Sequence, residues 1–148
     1  MSLENFARAA SSIPRQPKPA DLASARAIMR RDLAVAIGVD SDQDWRFNIA
    51  YNALLKVAEA ALAAEGFETA RTGNKHERSI ETLRHTLGLD VGTVQQIQAF
   101  RKKRNIAEYE AAGVVSQREA EEVVALAAAL IPRFERWLSE KHPELAPR

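Results

Sequence analysis

The sequence predicts an all-α protein, an up-and-down bundle of about five main helices preceded by a short N-terminal helix. Alanine, leucine, glutamate and arginine dominate the chain, and its apolar residues recur at helical spacing. Alternation of β-branched residues never lasts beyond a few positions. Proline or capping residues begin several segments, and glycine ends most of them. The predicted helices cover residues 2–10, 19–37, 41–66, 74–88, 91–112 and 116–141.

Proline and glycine set the boundaries in the first half of the chain. Pro14 and Pro17 interrupt helical structure, so residues 11–18 are predicted to form a connector. Pro19 suits the first turn of the second predicted helix, and Gly38 ends it.

The later boundaries carry capping signals. Asn74 and Glu77 have the spacing of a capping box after a loop over residues 67–73. Ser116 and Glu119 repeat that spacing at the start of the last helix, and Pro132 is expected to kink or break this helix. Short connections between long amphipathic helices indicate antiparallel neighbours.

Length and composition indicate one domain and exclude several kinds of site. A chain of 148 residues normally folds around a single core. We divide it into residues 1–18 (short helix and connector), 19–141 (helical bundle) and 142–148 (tail). The absence of cysteine excludes disulfides, thiol nucleophiles and thiolate metal ligands, and it fits a reducing cytosol. A net charge of +1 means that any affinity for nucleic acid must come from a local patch.

No segment of the sequence suggests export or a membrane. Glu4 lies where a secretory signal would carry positive charge, and no long apolar run follows it. The most apolar stretch, residues 123–131, has half the length that crossing a bilayer requires. We therefore expect a cytoplasmic protein without membrane contact.

The fifth predicted helix carries a polar patch on or beside its apolar face. Successive residues of an α-helix are rotated by about 100°, and this rotation places Arg104 in the middle of the apolar face. Arginine and glutamate are almost never fully buried without a partner. The patch consists of Arg101, Arg104, Asn105, Glu108 and Tyr109.

Two interpretations explain this patch. In the first, Arg104 and Glu108, four residues apart, form a structural ion pair that closes a gap between helices. In the second, Arg104 meets an anion in a groove between helices or subunits. Arg101 and Lys102 belong to the only cluster of four consecutive basic residues in the chain, and such cations can bind the phosphates of nucleic acid.

Residues of this helix and of two earlier segments resemble the HEPN superfamily, the higher-eukaryote and prokaryote nucleotide-binding domains. The resemblance extends over about residues 21–137. It rests on Arg-Asn-Ile-Ala-Glu-Tyr at 104–109, Ala-Tyr-Asn-Ala-Leu-Leu at 50–55 with Ala-Ala-Leu at 60–62 and Gly66, and His-Glu-Arg-Ser-Ile at 76–80.

The resemblance implies a helical bundle, often a homodimer, that binds RNA or nucleotides. It also implies a toxin-like component of a two-component, toxin–antitoxin type system, with a nucleotidyltransferase-type protein as partner. Active relatives are metal-independent ribonucleases in which a histidine follows an arginine after four to six residues. Arg104 takes the place of that arginine and Asn105 that of the polar residue after it, whereas Tyr109 occupies the place of the histidine.

Tyr109 argues for binding over cleavage. Proton transfer near neutral pH suits histidine, with a pKa of about 6.5, better than tyrosine, with a pKa of about 10. Tyr109 can still donate a hydrogen bond to phosphate or stack on a base. His76 is the remaining candidate proton carrier, although its place on an apolar face also fits a packed or cap-bonded histidine. The candidate catalytic residues are Arg104, Tyr109 and His76, and the candidate RNA- or nucleotide-binding residues are Arg101, Lys102, Arg104, Asn105 and Glu108.

A second function class competes with RNA or nucleotide binding. The chain could be a non-catalytic helical domain for dimerisation or protein interaction, in which Arg104 and Glu108 only order the core. Alanine-rich faces on both sides of the third and sixth predicted helices favour a homodimer in either case. The three histidines have no metal-ligand spacing, so we expect neither a metal site nor a cofactor.

Overall fold

The predicted all-α bundle is confirmed. The computed structural model describes residues 12–39, 42–70, 73–109 and 112–146, and the helix predicted over residues 2–10 lies outside them. Its elements are β1 (Ser12–Pro14), α1 (Pro19–Gly38), α2 (Gln43–Ala64), β2 (Phe67–Thr69), α3 (Lys75–Glu81), a 3₁₀ turn (Thr82–Arg84), α4 (Val91–Tyr109) and α5 (Gln117–Lys141).

Helix α2 lies at the centre of the bundle. It packs against α1, α5, α4 and α3, so most of its side chains are buried. Alanines such as Ala50, Ala53 and Ala61 let neighbouring helices approach closely, and larger side chains such as Phe47 and Leu54 fill the space between them.

Polar contacts at both ends of α2 fix its direction relative to α5. The Asp44 carboxylate accepts hydrogen bonds from the backbone N–H groups of Gly113 (2.6 Å) and Val115 (3.2 Å), just before α5 begins. At the other end, Lys141 pairs with Glu65 at 2.6 Å. Helices α2 and α5 therefore run in the same direction, as the second and fourth long helices of an up-and-down bundle do.

The capping predictions have mixed outcomes. Ser116 and Glu119 form the predicted capping box, in which each side chain accepts from the other's backbone N–H at 3.0–3.1 Å. Asn74 is the N-cap of α3, but its side chain makes no capping hydrogen bond, so that predicted box is wrong. Pro132 does not end α5, which continues to Lys141.

A two-stranded ribbon corrects the predicted connector and loop. Strands β1 and β2 pair antiparallel, with Ile13 opposite Glu68. The backbone N–H of Arg15 extends the pairing by donating to the carbonyl of Gly66 at 2.8 Å. Gly66 has a φ of 95°, a conformation that glycine adopts without strain. Strands of three residues are too short to show periodicity, which explains why the sequence did not indicate them.

The fourth predicted helix is shorter than expected. It ends at Glu81 and passes into a 3₁₀ turn, where the Thr82 hydroxyl donates to the Ser79 carbonyl at 2.6 Å. Such side-chain bonds to the backbone compete with continued α-helix.

The two tryptophans differ in their surroundings. Trp137 packs beside Phe134 and His142, as expected of an anchor at a helix end. Trp45 is 57% exposed, so it does not belong to the core of this chain. No helix within the described ranges has the length and hydropathy needed to cross a membrane.

Candidate functional site

A groove of about 360 Å³ lies between the start of α3 and the C-terminal half of α4. We call it the α3–α4 groove. Helix α4 contributes one wall, and α3 with the two residues before it contributes the other. The lining residues are Arg101, Arg104, Asn105, Gly73, Asn74, Lys75, His76 and Glu77.

The groove brings together most of the site residues predicted from sequence. Helical spacing places Arg101, Arg104 and Asn105 on one wall, as expected, and His76 reaches the same groove from α3. Lys102 is exposed and does not line the groove. Glu108 and Tyr109 belong to α4, but their side chains lie outside the described part of the structure, so their roles stay predictions.

Arg104 rests on an aromatic ring from the central helix. Its guanidinium carbon lies 5.3 Å from the ring centroid of Tyr51, which is fully buried. A cation over a tyrosine ring is stabilised by about 0.5–2 kcal/mol, and the gain is largest where water is excluded. This contact explains how an arginine can project from the middle of an apolar helical face.

Arg101 belongs to a hydrogen-bonded chain across the groove. Its Nε donates to Oε1 of Gln98 at 2.9 Å. Gln98 in turn donates from Nε2 to the backbone carbonyl of Glu77 at 2.8 Å. Since Gln98 is on α4 and Glu77 on α3, these bonds connect the two helices and hold one edge of the Arg101 guanidinium.

His76 is held in its neutral form. Burial lowers its pKa below the ordinary value of 6.5; the charge of Glu59 opposes this shift, while Arg104, Lys75 and Arg101 add to it. At pH 7 the imidazole therefore carries one ring nitrogen that can accept a hydrogen bond or a proton.

Tyr51 and Glu59 of α2 influence the groove residues without lining the groove, and the sequence did not indicate either role. Burial, with a smaller contribution from the charge of Glu59, raises the pKa of Tyr51 to about 12, although the charges of Arg104 and Arg101 oppose the shift. The phenol therefore keeps its proton at every physiological pH. Both residues follow the helical pattern of α2, and their proximity to α4 depends on tertiary packing that periodicity does not reveal.

The groove is positively charged. Of the side chains that the structure describes there, Lys75, Arg101 and Arg104 carry positive charge and Glu77 alone carries a carboxylate. Lys103 does not add to this charge, because it pairs with Glu119 at 3.2 Å. Guanidinium, ammonium and amide donors facing one space favour an anion with several acceptor oxygens, such as phosphate.

The described residues do not provide a cluster of metal ligands. No group of three or more histidine, aspartate or glutamate side chains in these ranges could hold a metal ion.

No protein-family model matches the sequence, and no curated protein is significantly similar to it.

Proposed function

We propose that this protein binds RNA through backbone phosphates in the α3–α4 groove. The observation that carries the proposal is the convergence of Arg101, Arg104 and Lys75 on one groove, where Glu77 is the one carboxylate among the described side chains. Backbone phosphates supply most of the affinity of proteins that bind nucleic acid. The resemblance of residues 104–109 to the HEPN superfamily supports the same function.

The charged and the amide side chains of the groove have distinct roles in this proposal. Arg104 and Arg101 bind phosphate, with Arg104 pre-positioned by the Tyr51 ring. Asn105 and Asn74 offer amide groups that can bind a base edge or a sugar hydroxyl. Lys102 extends the positive charge beyond the groove.

Alanine substitution in the groove tests the proposal. Arg104→Ala and Arg101→Ala should each weaken binding of a labelled single-stranded RNA at least tenfold in 100 mM salt. Each should also reduce the slope of log affinity against log salt by about 0.7, since one phosphate contact is lost. Arg118→Ala is the matched control, because Arg118 is exposed on α5, pairs with Glu122 one turn away and does not line the groove. Equal affinities of all three variants and the wild type would contradict the proposal.

The alternative function, a non-catalytic dimerisation or interaction domain, predicts a different effect of Arg104→Ala on stability and RNA affinity. If Arg104 serves only the core, Arg104→Ala should lower the melting temperature while RNA affinity stays at the level of the control. Thermal melts and binding measurements on the same samples separate the two functions. We expect a homodimer under both, which light scattering at micromolar concentration should show as twice 16.4 kDa. A nucleotidyltransferase-type protein partner remains an expectation from the resemblance.

The position of His76 favours a second candidate function, metal-independent RNA cleavage. A neutral imidazole beside two arginines could take the proton of a 2′-hydroxyl while Arg104 stabilises charge on the phosphate. The 2′-oxygen would then attack the phosphorus, displace the 5′-oxygen and form a 2′,3′-cyclic phosphate. The departing 5′-oxygen would take a proton from water or from Tyr109.

A cleavage assay in chelator distinguishes binding from catalysis. If the protein cleaves RNA, the product should carry a cyclic phosphate, and His76→Ala should abolish the reaction while retaining RNA affinity. Intact RNA after prolonged incubation with wild-type protein would exclude this activity. Cleavage that survives His76→Ala but is lost in Tyr109→Phe would assign the proton transfer to the phenol.

A further inference from the structure

The phenol hydroxyl of Tyr51 is a buried polar group whose presence the packing of the core does not explain. Its side chain is fully buried on α2, and its hydroxyl has no hydrogen-bond partner among the described residues. Buried hydroxyls nearly always have a partner, because an unpaired one costs stability. A phenylalanine would fill the same volume and offer Arg104 the same ring face, so packing alone does not explain the hydroxyl.

The ring that carries the unpaired hydroxyl contacts Arg104, a residue that lines the α3–α4 groove. Arg104 both lines the groove and covers the Tyr51 ring, so a single side chain separates the ring from the groove surface. Arg101, the other groove arginine, is also close enough for its charge to act on the phenol.

We propose that the Tyr51 hydroxyl is a hydrogen-bond donor for the phosphate that Arg104 binds. The proposal rests on the proposed function and adds a ligand-binding residue to it. A phosphate that pairs with Arg104 is held beside the Tyr51 ring, and a small shift of the guanidinium along the ring face gives a phosphate oxygen access to the hydroxyl at the ring edge. The phenol then donates to a phosphate oxygen and acquires the partner that it lacks in the free protein. Its proton is available throughout the physiological range, because the phenol does not ionise there.

The variant Tyr51→Phe tests this role, since it removes one oxygen and keeps the ring. We expect its melting temperature to equal or exceed that of the wild type, because an unpaired buried hydroxyl is lost. Its affinity for labelled single-stranded RNA should fall about tenfold. Thr86→Val is the matched control: Thr86 is a buried residue whose hydroxyl donates to the Thr82 carbonyl at 3.2 Å, and it does not line the groove. That variant should lose stability and keep its RNA affinity.

A spectroscopic measurement follows the hydroxyl directly. The chain has two tyrosines, so a sample labelled with ¹³C at tyrosine Cζ gives two signals, which Tyr51→Phe assigns. Titration with inorganic phosphate should shift the Tyr51 signal in the wild type and leave it unshifted in Arg104→Ala.

The outcomes separate this inference from the proposed function. If wild-type protein binds RNA, Arg104→Ala does not, and Tyr51→Phe binds within twofold of the wild type, the phenol has no part in binding and only this inference fails. A marked loss of melting temperature in Tyr51→Phe would also overturn it, by showing a structural hydrogen bond. If the wild type binds neither RNA nor phosphate, both proposals fail together.

Discussion

Glu135 holds two arginines of α1 against α5, and its removal gives a stability loss that can be worked out from the structure. Its Oε2 accepts from Nε and Nη2 of Arg26 at 2.9 and 2.5 Å and from Nε of Arg30 at 2.9 Å, while Oε1 accepts from Nη2 of Arg30. The Glu135 side chain is 12% exposed, against 30% for Arg26 and 56% for Arg30.

The exposures determine the magnitude. Breaking a buried ion pair costs about 3–5 kcal/mol, whereas an exposed pair contributes about 0–1 kcal/mol. Glu135 is mostly enclosed, Arg26 is about one third exposed and Arg30 is about half exposed, so Glu135→Ala should lose about 2–3 kcal/mol. For a chain of this size the loss corresponds to about 4–12 °C in melting temperature. Urea unfolding measures it, with Glu122→Ala in the exposed α5 pair as the control, where we expect less than about 0.5 kcal/mol.

The pH dependence provides a second measurement on the same pair. Burial opposes ionisation of Glu135, but the hydrogen bonds and charges of Arg30 and Arg26 prevail and hold its pKa below the ordinary value. The stability that this lowered pKa confers is complete above the unfolded-state pKa of about 4.3 and is lost as the pH falls through the folded-state value. The difference between wild type and Glu135→Gln should therefore shrink below about pH 4. A loss under 1 kcal/mol in Glu135→Ala, or a difference independent of pH, would refute the reasoning.

Two further predictions concern the ends of the bundle and the groove. Asp44→Ala should cost about 2 kcal/mol in urea unfolding, because two backbone N–H groups before α5 lose a charged acceptor; unchanged stability would show that water replaces it. The lowered pKa of His76 means that the free protein loses stability as the pH falls from about 6.5 through the folded-state value, since the unfolded chain binds the proton more readily. A bound phosphate should raise the pKa of His76, because its negative charge stabilises the imidazolium. RNA affinity should therefore rise several-fold between pH 7.5 and 5.5 in the wild type but not in His76→Ala. A parallel rise in both proteins would remove His76 from the binding site.

The helices could be predicted because their signals are local. Pro19 at a first turn and the capping box of Ser116 act within a few residues, so the chain shows them directly. The polar face of α4 could be predicted for the same reason, since helical spacing alone places Arg101, Arg104 and Asn105 side by side.

The rest of the site depends on contacts between distant parts of the chain. His76 reaches the groove only because α3 packs beside α4, and Tyr51 lies under Arg104 only because α2 passes beneath it. Neither contact produces a periodic pattern or a fixed residue spacing in the sequence, so neither could be predicted from it. The ribbon of β1 and β2 was missed for a similar reason, since its pairing connects residues more than 50 positions apart.

The ribbon has a mechanical consequence for the groove. Strand β2 precedes α3, and the hydroxyls of Thr69 and Ser79 share a buried hydrogen bond of 3.0 Å that ties this strand to the helix. The wall that carries His76 is thus connected through β2 to residues 12–14, which do not line the groove. A chain shortened to begin at Lys18 would keep every groove residue yet leave that wall with a wider range of orientations. Its affinity for an anion would be lower, because binding would have to order the wall and so reduce its conformational entropy. In the full chain, folding of the ribbon already orders the wall.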